Sequence, residues 1–285
     1  MRDRLVIKIQ EKQPTARDFW LAGNGTLDDL RGIEVLTEEI ILSIIKRIPE
    51  FLMELMPEQM TPAIVEEAIS QNPYLYKFVP SQFKTEALGD LAVEKSGFVV
   101  RFINNPTLKQ QLMAVNQQGA NLKYIQEQTE EICLSAVRKD AYAIDYVKEQ
   151  TPRLCWEALK QSPMTIEYIK NQDEEMCKYA IKAIPSLVRN VQCYPVDETY
   201  HALKLAPEWF GEIKGNKEEV YRRLIEAYPD ALEFLDNSYL TESVCVELVE
   251  KDASNLKFIP EEFKSLEVCM TAYEKGNKAE PYLSL

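Results

Sequence analysis

Six cysteines, one histidine and several paired carboxylates are the residues of this chain that could do chemistry. A thiol beside an imidazole would make a nucleophile, and clustered cysteine and histidine would hold zinc. The spacing argues against both. There is no Cys-x-x-Cys pair, and Cys133, Cys155, Cys177, Cys245 and Cys269 all stand three residues ahead of a small-apolar pair of the type Ala136-Val137. Elsewhere that position holds Ile41, Val65, Gly89, Gln111, Thr199 and Tyr221, which makes it mostly a core position where cysteine packs as a small hydrophobe. Equivalent positions on stacked helices lie about 10 Å apart, beyond the reach of a disulfide. Free structural cysteines are therefore expected. His201 is the single imidazole, and Glu38-Glu39, Glu66-Glu67, Glu130-Glu131 and Glu218-Glu219 fall mostly in first helical turns, where the helix dipole accounts for them. Gly215-Asn216-Lys217 and Gly276-Asn277-Lys278 lack phosphate-loop spacing. We expect no catalytic residue, no metal site and no cofactor, and hence no enzyme.

The element that would position these residues is a repeat. Pairs equivalent to Ala136-Val137 recur at Ile44-Ile45, Ala68-Ile69, Ala92-Val93, Ala114-Val115, Ala158-Leu159, Ala180-Ile181, Ala202-Leu203, Leu224-Ile225, Leu248-Val249 and Ala272-Tyr273. Eleven units follow, at steps of 24, 24, six of 22, then 24 and 24. Seven residues before the pair stand Thr37, Thr61, Thr85, Thr107, Thr129, Thr151, Asp173, Thr241 and Ser265, all helix N-cap types. Five after it stand Pro49, Pro73, Pro163, Pro185, Pro207 and Pro229, which end one helix and open the next. Ten after it come Phe78, Phe102, Tyr124, Tyr146, Tyr168, Phe234, Phe258 and Tyr282. The four longer steps each carry two extra residues, as in Pro57-Glu-Gln-Met60 and Asn237-Ser-Tyr-Leu240.

Each unit reads as two short helices. In the second, Ala143, Tyr146 and Val147 are expected on the inner face. Helices this short are marginal alone and must stack. The expected fold is all-α: an elongated α-solenoid of about eleven short helix-turn-helix repeats over 36–285. Residues 1–35 would form a small N-terminal cap, with a strand-like run at Leu5, Ile7 and Ile9 and Trp20 as a plug.

Units such as Thr129–Gln150 and Phe258–Tyr273 resemble a short helical-hairpin repeat family of unknown function found in bacterial, phage and giant-virus proteins. The resemblance spans roughly 36–285 and rests on the Glu-x-Cys-x-x-Ala-Val and Tyr-Val positions. It implies no catalytic residue, and at most a role in interactions.

The net charge is −13. Residues 129–285 carry 19 cations against 29 carboxylates. No basic footprint for nucleic acid is present, so direct nucleic-acid binding is not expected. No apolar run has the length of a membrane helix, and the N-terminus does not read as a signal peptide; the default expectation is a cytoplasmic protein. The repeat decays over 173–216, where Asn190 and Glu212 replace the aromatic and Pro195 and then Lys217 replace the cap. Packing does not ask for these changes. Arg189, Tyr194, Trp209 and Phe210 are the candidate contact residues for a protein partner, because such aromatics anchor interfaces. The expected function is a protein-binding scaffold. The alternative is a viral or bacterial inhibitor whose acidic face occludes a basic partner protein.

Overall fold

A computed structural model describes residues 37–276. The expected N-terminal cap and the end of the last repeat, including Tyr282, lie outside the described residues. Every described element is helical. Among the described residues there are eleven α-helices, one in each expected repeat: Glu38–Ile45, Pro62–Gln71, Glu86–Lys95, Leu108–Gln117, Glu130–Lys139, Pro152–Gln161, Glu174–Ala183, Val196–Leu205, Lys217–Ala227, Glu242–Lys251 and Leu266–Lys275. They fall into two compact units, one ending at Glu149 and the other beginning at Gln150.

Local chemistry sets where each helix begins. Thr61, Thr85, Thr107, Thr129, Thr151, Asp173, Thr241 and Ser265 each accept, through the side-chain oxygen, the backbone N–H three residues on. That satisfies one of the four orphan donors of a helix start. Thr37 occupies the same place without making the bond. Pro195 precedes Val196–Leu205 without a side-chain cap bond, and the next helix, Lys217–Ala227, is capped by Asn216 rather than Lys217, because the Asn216 carboxamide can accept from Glu219 N–H and an ammonium cannot. That helix is one residue longer than its neighbours as a result.

The second element of each of the first ten repeats is a 3-10 helix, not an α-helix. Pro73–Phe78, Gly97–Phe102, Gly119–Tyr124, Ala141–Tyr146 and Pro163–Tyr168 are examples. Asn72, Asp140 and Asp252 start such turns by accepting from the N–H two residues later. With three residues per turn, positions i, i+3 and i+6 line up. Ala141, Ile144 and Val147 share such a line and are buried; Ala143 is buried as well, while Tyr146, three residues on from Ala143, is 36% exposed. The exposure of Tyr146 corrects its expected inner-face placement, while Ala143 and Val147 lie inside as expected.

The core of each unit is the small-apolar pair. From Ile44-Ile45 to Leu248-Val249 both members are at most 2% exposed; Tyr273 of the last unit is the exception. Small residues let the next repeat come close. A Cβ on Gly119 would sit 2.5 Å from the Ala136 carbonyl oxygen, and one on Gly97 2.9 Å from that of Ala114. The two extra residues of the long steps form one additional 3-10 turn, at Pro57–Gln59, Ser81–Phe83, Asn237–Tyr239 and Glu261–Phe263.

Candidate interaction surface

Glutamines clamp successive repeats. Gln150 Oε1 accepts Lys170 N–H at 2.8 Å, and its Nε2 donates to the Tyr168 carbonyl at 2.9 Å. Gln172 Oε1 accepts Gln192 N–H at 2.8 Å. Within the first unit, Gln128 does the same for Lys148 at 2.9 Å. Twenty-two residues after Gln172 this position is Tyr194. Its hydroxyl accepts Lys214 N–H at 2.8 Å and faces the Lys214 carbonyl at 2.5 Å. Burial pushes the phenol above its ordinary value, so it stays a donor. Tyr194 is a rung of this ladder and 7% exposed, which takes it out of the predicted contact surface.

Phe210 is also interior, at 5% exposure. It sits one residue after Trp209, on the same position as Leu122, Ile144, Ile166 and Val188, all buried. Its ring lies 6.0 Å from those of Tyr221 and Tyr239. Arg189 and Trp209 do reach the surface together. The guanidinium lies 5.5 Å over the Trp209 ring and bonds Glu212 at 3.1 Å. The structure thus brings two of the four predicted residues into one surface pair and assigns the other two to packing. The signal for both was available: the 22-residue register places each on a position whose role the other units display.

The cysteines need one correction. Cys133, Cys155 and Cys245 are buried free thiols, and burial pushes Cys245 up to about 11. Cys177, however, is bonded to Cys193, with Cα atoms 6.2 Å apart. The distance argument considered only equivalent positions on neighbouring repeats. Cys193 lies off that position, in the segment that folds back beside Asp173, where its sulfur is 3.2 Å from the Asp173 carbonyl. The same fold-back places Asn171 relative to Cys155 and Glu149 relative to Cys133 in sequence spacing, so only this repeat has cysteine at both places.

Chemistry remains sparse among the described residues. No group of three or more metal-ligating side chains occurs, and no helix is long and apolar enough to cross a membrane. His201 packs on the Tyr200 and Tyr228 rings, which stack at 4.0 Å. Lys204 Nζ bonds Tyr200 at 2.7 Å and Asp230 at 3.1 Å. Burial pushes Asp230 up, but the Tyr200 hydroxyl and the Lys204 ammonium outweigh it and hold the carboxyl below its ordinary range.

The most developed surface lies in the first unit and was not foreseen. Tyr74 and Phe78 are about half exposed. Tyr74, Phe98 and Tyr124 come from three successive repeats and meet edge to face, at 6.0 Å and 5.2 Å. Arg101 lies within 4.8 Å of Phe98, 5.2 Å of Phe102 and 5.1 Å of Tyr124. Lys77 sits over Phe78 and Lys123 over Tyr124 and Tyr146. Two grooves flank this cluster. One of about 660 Å³ is bordered by Arg101, Asn105 and Tyr124, with Glu127 at its rim. The other, about 330 Å³, lies between Tyr74, Phe98 and Asn121. Phe102 and Tyr124 pack on the edge of the core, while Phe78 and Tyr146 are exposed and the apolar residue after each, Val79 and Val147, is at most 3% exposed.

Comparison with protein families, with curated proteins and with solved structures finds no match for this chain. Its reading rests on its own residues.

Proposed function

We propose that this protein is a non-enzymatic protein-binding scaffold, a stack of helical repeats that offers the outward side of its 3-10 helices to a partner. The observation that carries this reading is the row Tyr74, Phe98 and Tyr124 from successive repeats, joined edge to face at the margin of the core, with Tyr74 half exposed and the exposed Phe78 and Tyr146 rings on the same 3-10 segments or the next. Large exposed aromatic clusters with adjoining arginine are the composition of interface centres. We place the chain with the short helical-hairpin repeats that its units resemble, and in the cytoplasm. The Cys177–Cys193 bond is the feature that weighs against that compartment.

The test is affinity capture of the full chain from a native host lysate, comparing wild type with Phe78→Ser/Tyr146→Ser and with Trp209→Ser. A recurrent protein lost by one of the variants supports the scaffold and places its contact face. Equal capture by all three overturns both faces. A second reading, an inhibitor that occludes a basic partner, is favoured by the 29 carboxylates against 19 cations over 129–285. Its capture should weaken steeply with salt, since exposed charges are screened beyond about 8 Å at physiological ionic strength.

A further inference from the structure

We propose that the aromatic face of the first unit docks an acidic segment in an extended, polyproline-II-like conformation, with a carboxylate at every third residue. The inference rests on the scaffold reading and names the chemistry of its occupant.

Charge is the first argument. The protein as a whole carries −13. Yet Pro73–Phe78, Gly97–Phe102, Gly119–Tyr124 and the connections after them, as far as Gln126, hold Lys77, Lys84, Arg101 and Lys123 and no carboxylate at all; Glu127 is the first. No such run of three occurs elsewhere among the described residues: Ala141–Tyr146 carries Asp145, Pro163–Tyr168 Glu167, Pro207–Glu212 Glu208 and Glu212, and Pro229–Glu233 Asp230 and Glu233, while Pro185–Arg189 and Ala253–Phe258 lack a carboxylate but are not successive. A local reversal of sign on an acidic protein, sustained over three successive repeats, favours an acidic partner.

Spacing is the second argument. Lys77, Arg101 and Lys123 occupy the same place in three successive repeats, one residue before the outward aromatic. Packed helices lie about 8–10 Å apart, so these cations recur at roughly that interval. A polyproline II helix rises about 3.1 Å per residue with three residues per turn, or about 9 Å per turn. One side chain in three then faces the same way, in step with the repeats. Aromatic-lined grooves are the usual seat of such segments, whose conformation is already ordered before binding.

A single-stranded nucleic acid is the less favoured occupant. Stacking would need free ring faces. Here the rings pack edge to face on one another, and cations already lie over Phe78, Phe98, Phe102, Tyr124 and Tyr146. Four cations on a chain of −13 also make a poor match for a continuous run of phosphates.

The experiment is fluorescence anisotropy of the full chain with labelled (Glu-Pro-Pro)n, (Gln-Pro-Pro)n and (Lys-Pro-Pro)n peptides and with oligothymidylate. Wild type should prefer the glutamate peptide. Lys77→Glu/Lys123→Glu should weaken it about tenfold, from two exposed charge contacts reversed. Lys178→Glu/Lys275→Glu changes the net charge equally and should leave binding near wild type; circular dichroism checks that each variant folds. Equal binding of the glutamine or lysine peptide, tighter binding of oligothymidylate, or full affinity in Lys77→Glu/Lys123→Glu would each overturn the proposal. If no peptide binds while the lysate partner is still captured, this inference falls and the scaffold reading stands. If both fail, both fall.

Discussion

Replacing Tyr194 by phenylalanine separates a structural rung from an interface anchor. The ring stays and the hydroxyl goes. That removes the acceptor of Lys214 N–H at 2.8 Å and the donor facing the Lys214 and Val191 carbonyls at 2.5 Å and 3.1 Å. A net hydrogen bond is worth about 0.5–1.5 kcal/mol, and a buried donor left without a partner costs about 1–3 kcal/mol. Lys214 itself is exposed, so water can reach its amide and the lower part of that range applies. The expected loss is about 1–2 kcal/mol, a factor of roughly 5–30 in the local opening equilibrium. Amide hydrogen exchange reads it directly. Lys214 N–H should exchange faster by that factor, while Gln192 N–H, held by Gln172 Oε1 at 2.8 Å, should not change. Partner affinity should also be unchanged. The reasoning is refuted if Lys214 exchange is unaffected, or if binding falls while stability holds; Tyr194 would then be a contact residue after all.

Two further outcomes follow from the packing. Gly119→Ala places a methyl 2.5 Å from the Ala136 carbonyl oxygen, which is backbone and cannot swing aside; chemical denaturation should show a loss of about 1–3 kcal/mol, whereas Gly211→Ala, with nothing within 4 Å, should stay within about 0.5 kcal/mol. The Cys177–Cys193 bond leaves four free thiols, so alkylation of the unfolded, unreduced chain should label Cys133, Cys155, Cys245 and Cys269 alone; reduction should lower stability by about 3 kcal/mol, since closing a loop of about 15 residues restrains the unfolded chain by that much.

Much of the fold was legible because its determinants are local. Thr129 caps its helix through a bond three residues away, and Ala136-Val137 is buried because a helix-spaced stripe has nowhere else to go. The same columns exposed which residues break the rule at 190–217, but not what the breaks are for. Tyr194 and Phe210 look like interface aromatics when their types are read alone. Aligned with Gln172 and Val188 they are a clamp and a core residue. Trp209, on a position that is buried as Ala143 and Thr165 in other repeats, is the substitution that does change the surface.

The sequence by itself determined the repeat of the α-helices, most of their capped starts and the buried pair, because each depends on residue type and on spacing along one chain. Only the tertiary structure decided what faces outward and what meets across repeats. Packing of the 3-10 turns buries Ile144 and Val147 and leaves Tyr146 at the surface. The fold-back beside Asp173 brings Cys193 to Cys177, and stacking joins Tyr74, Phe98 and Tyr124 into one cluster with Arg101 among its rings. The disulfide and the ring-to-ring contacts span 16 to 26 residues along the chain. No periodicity within a single element encodes them, so they exist only once the repeats have packed.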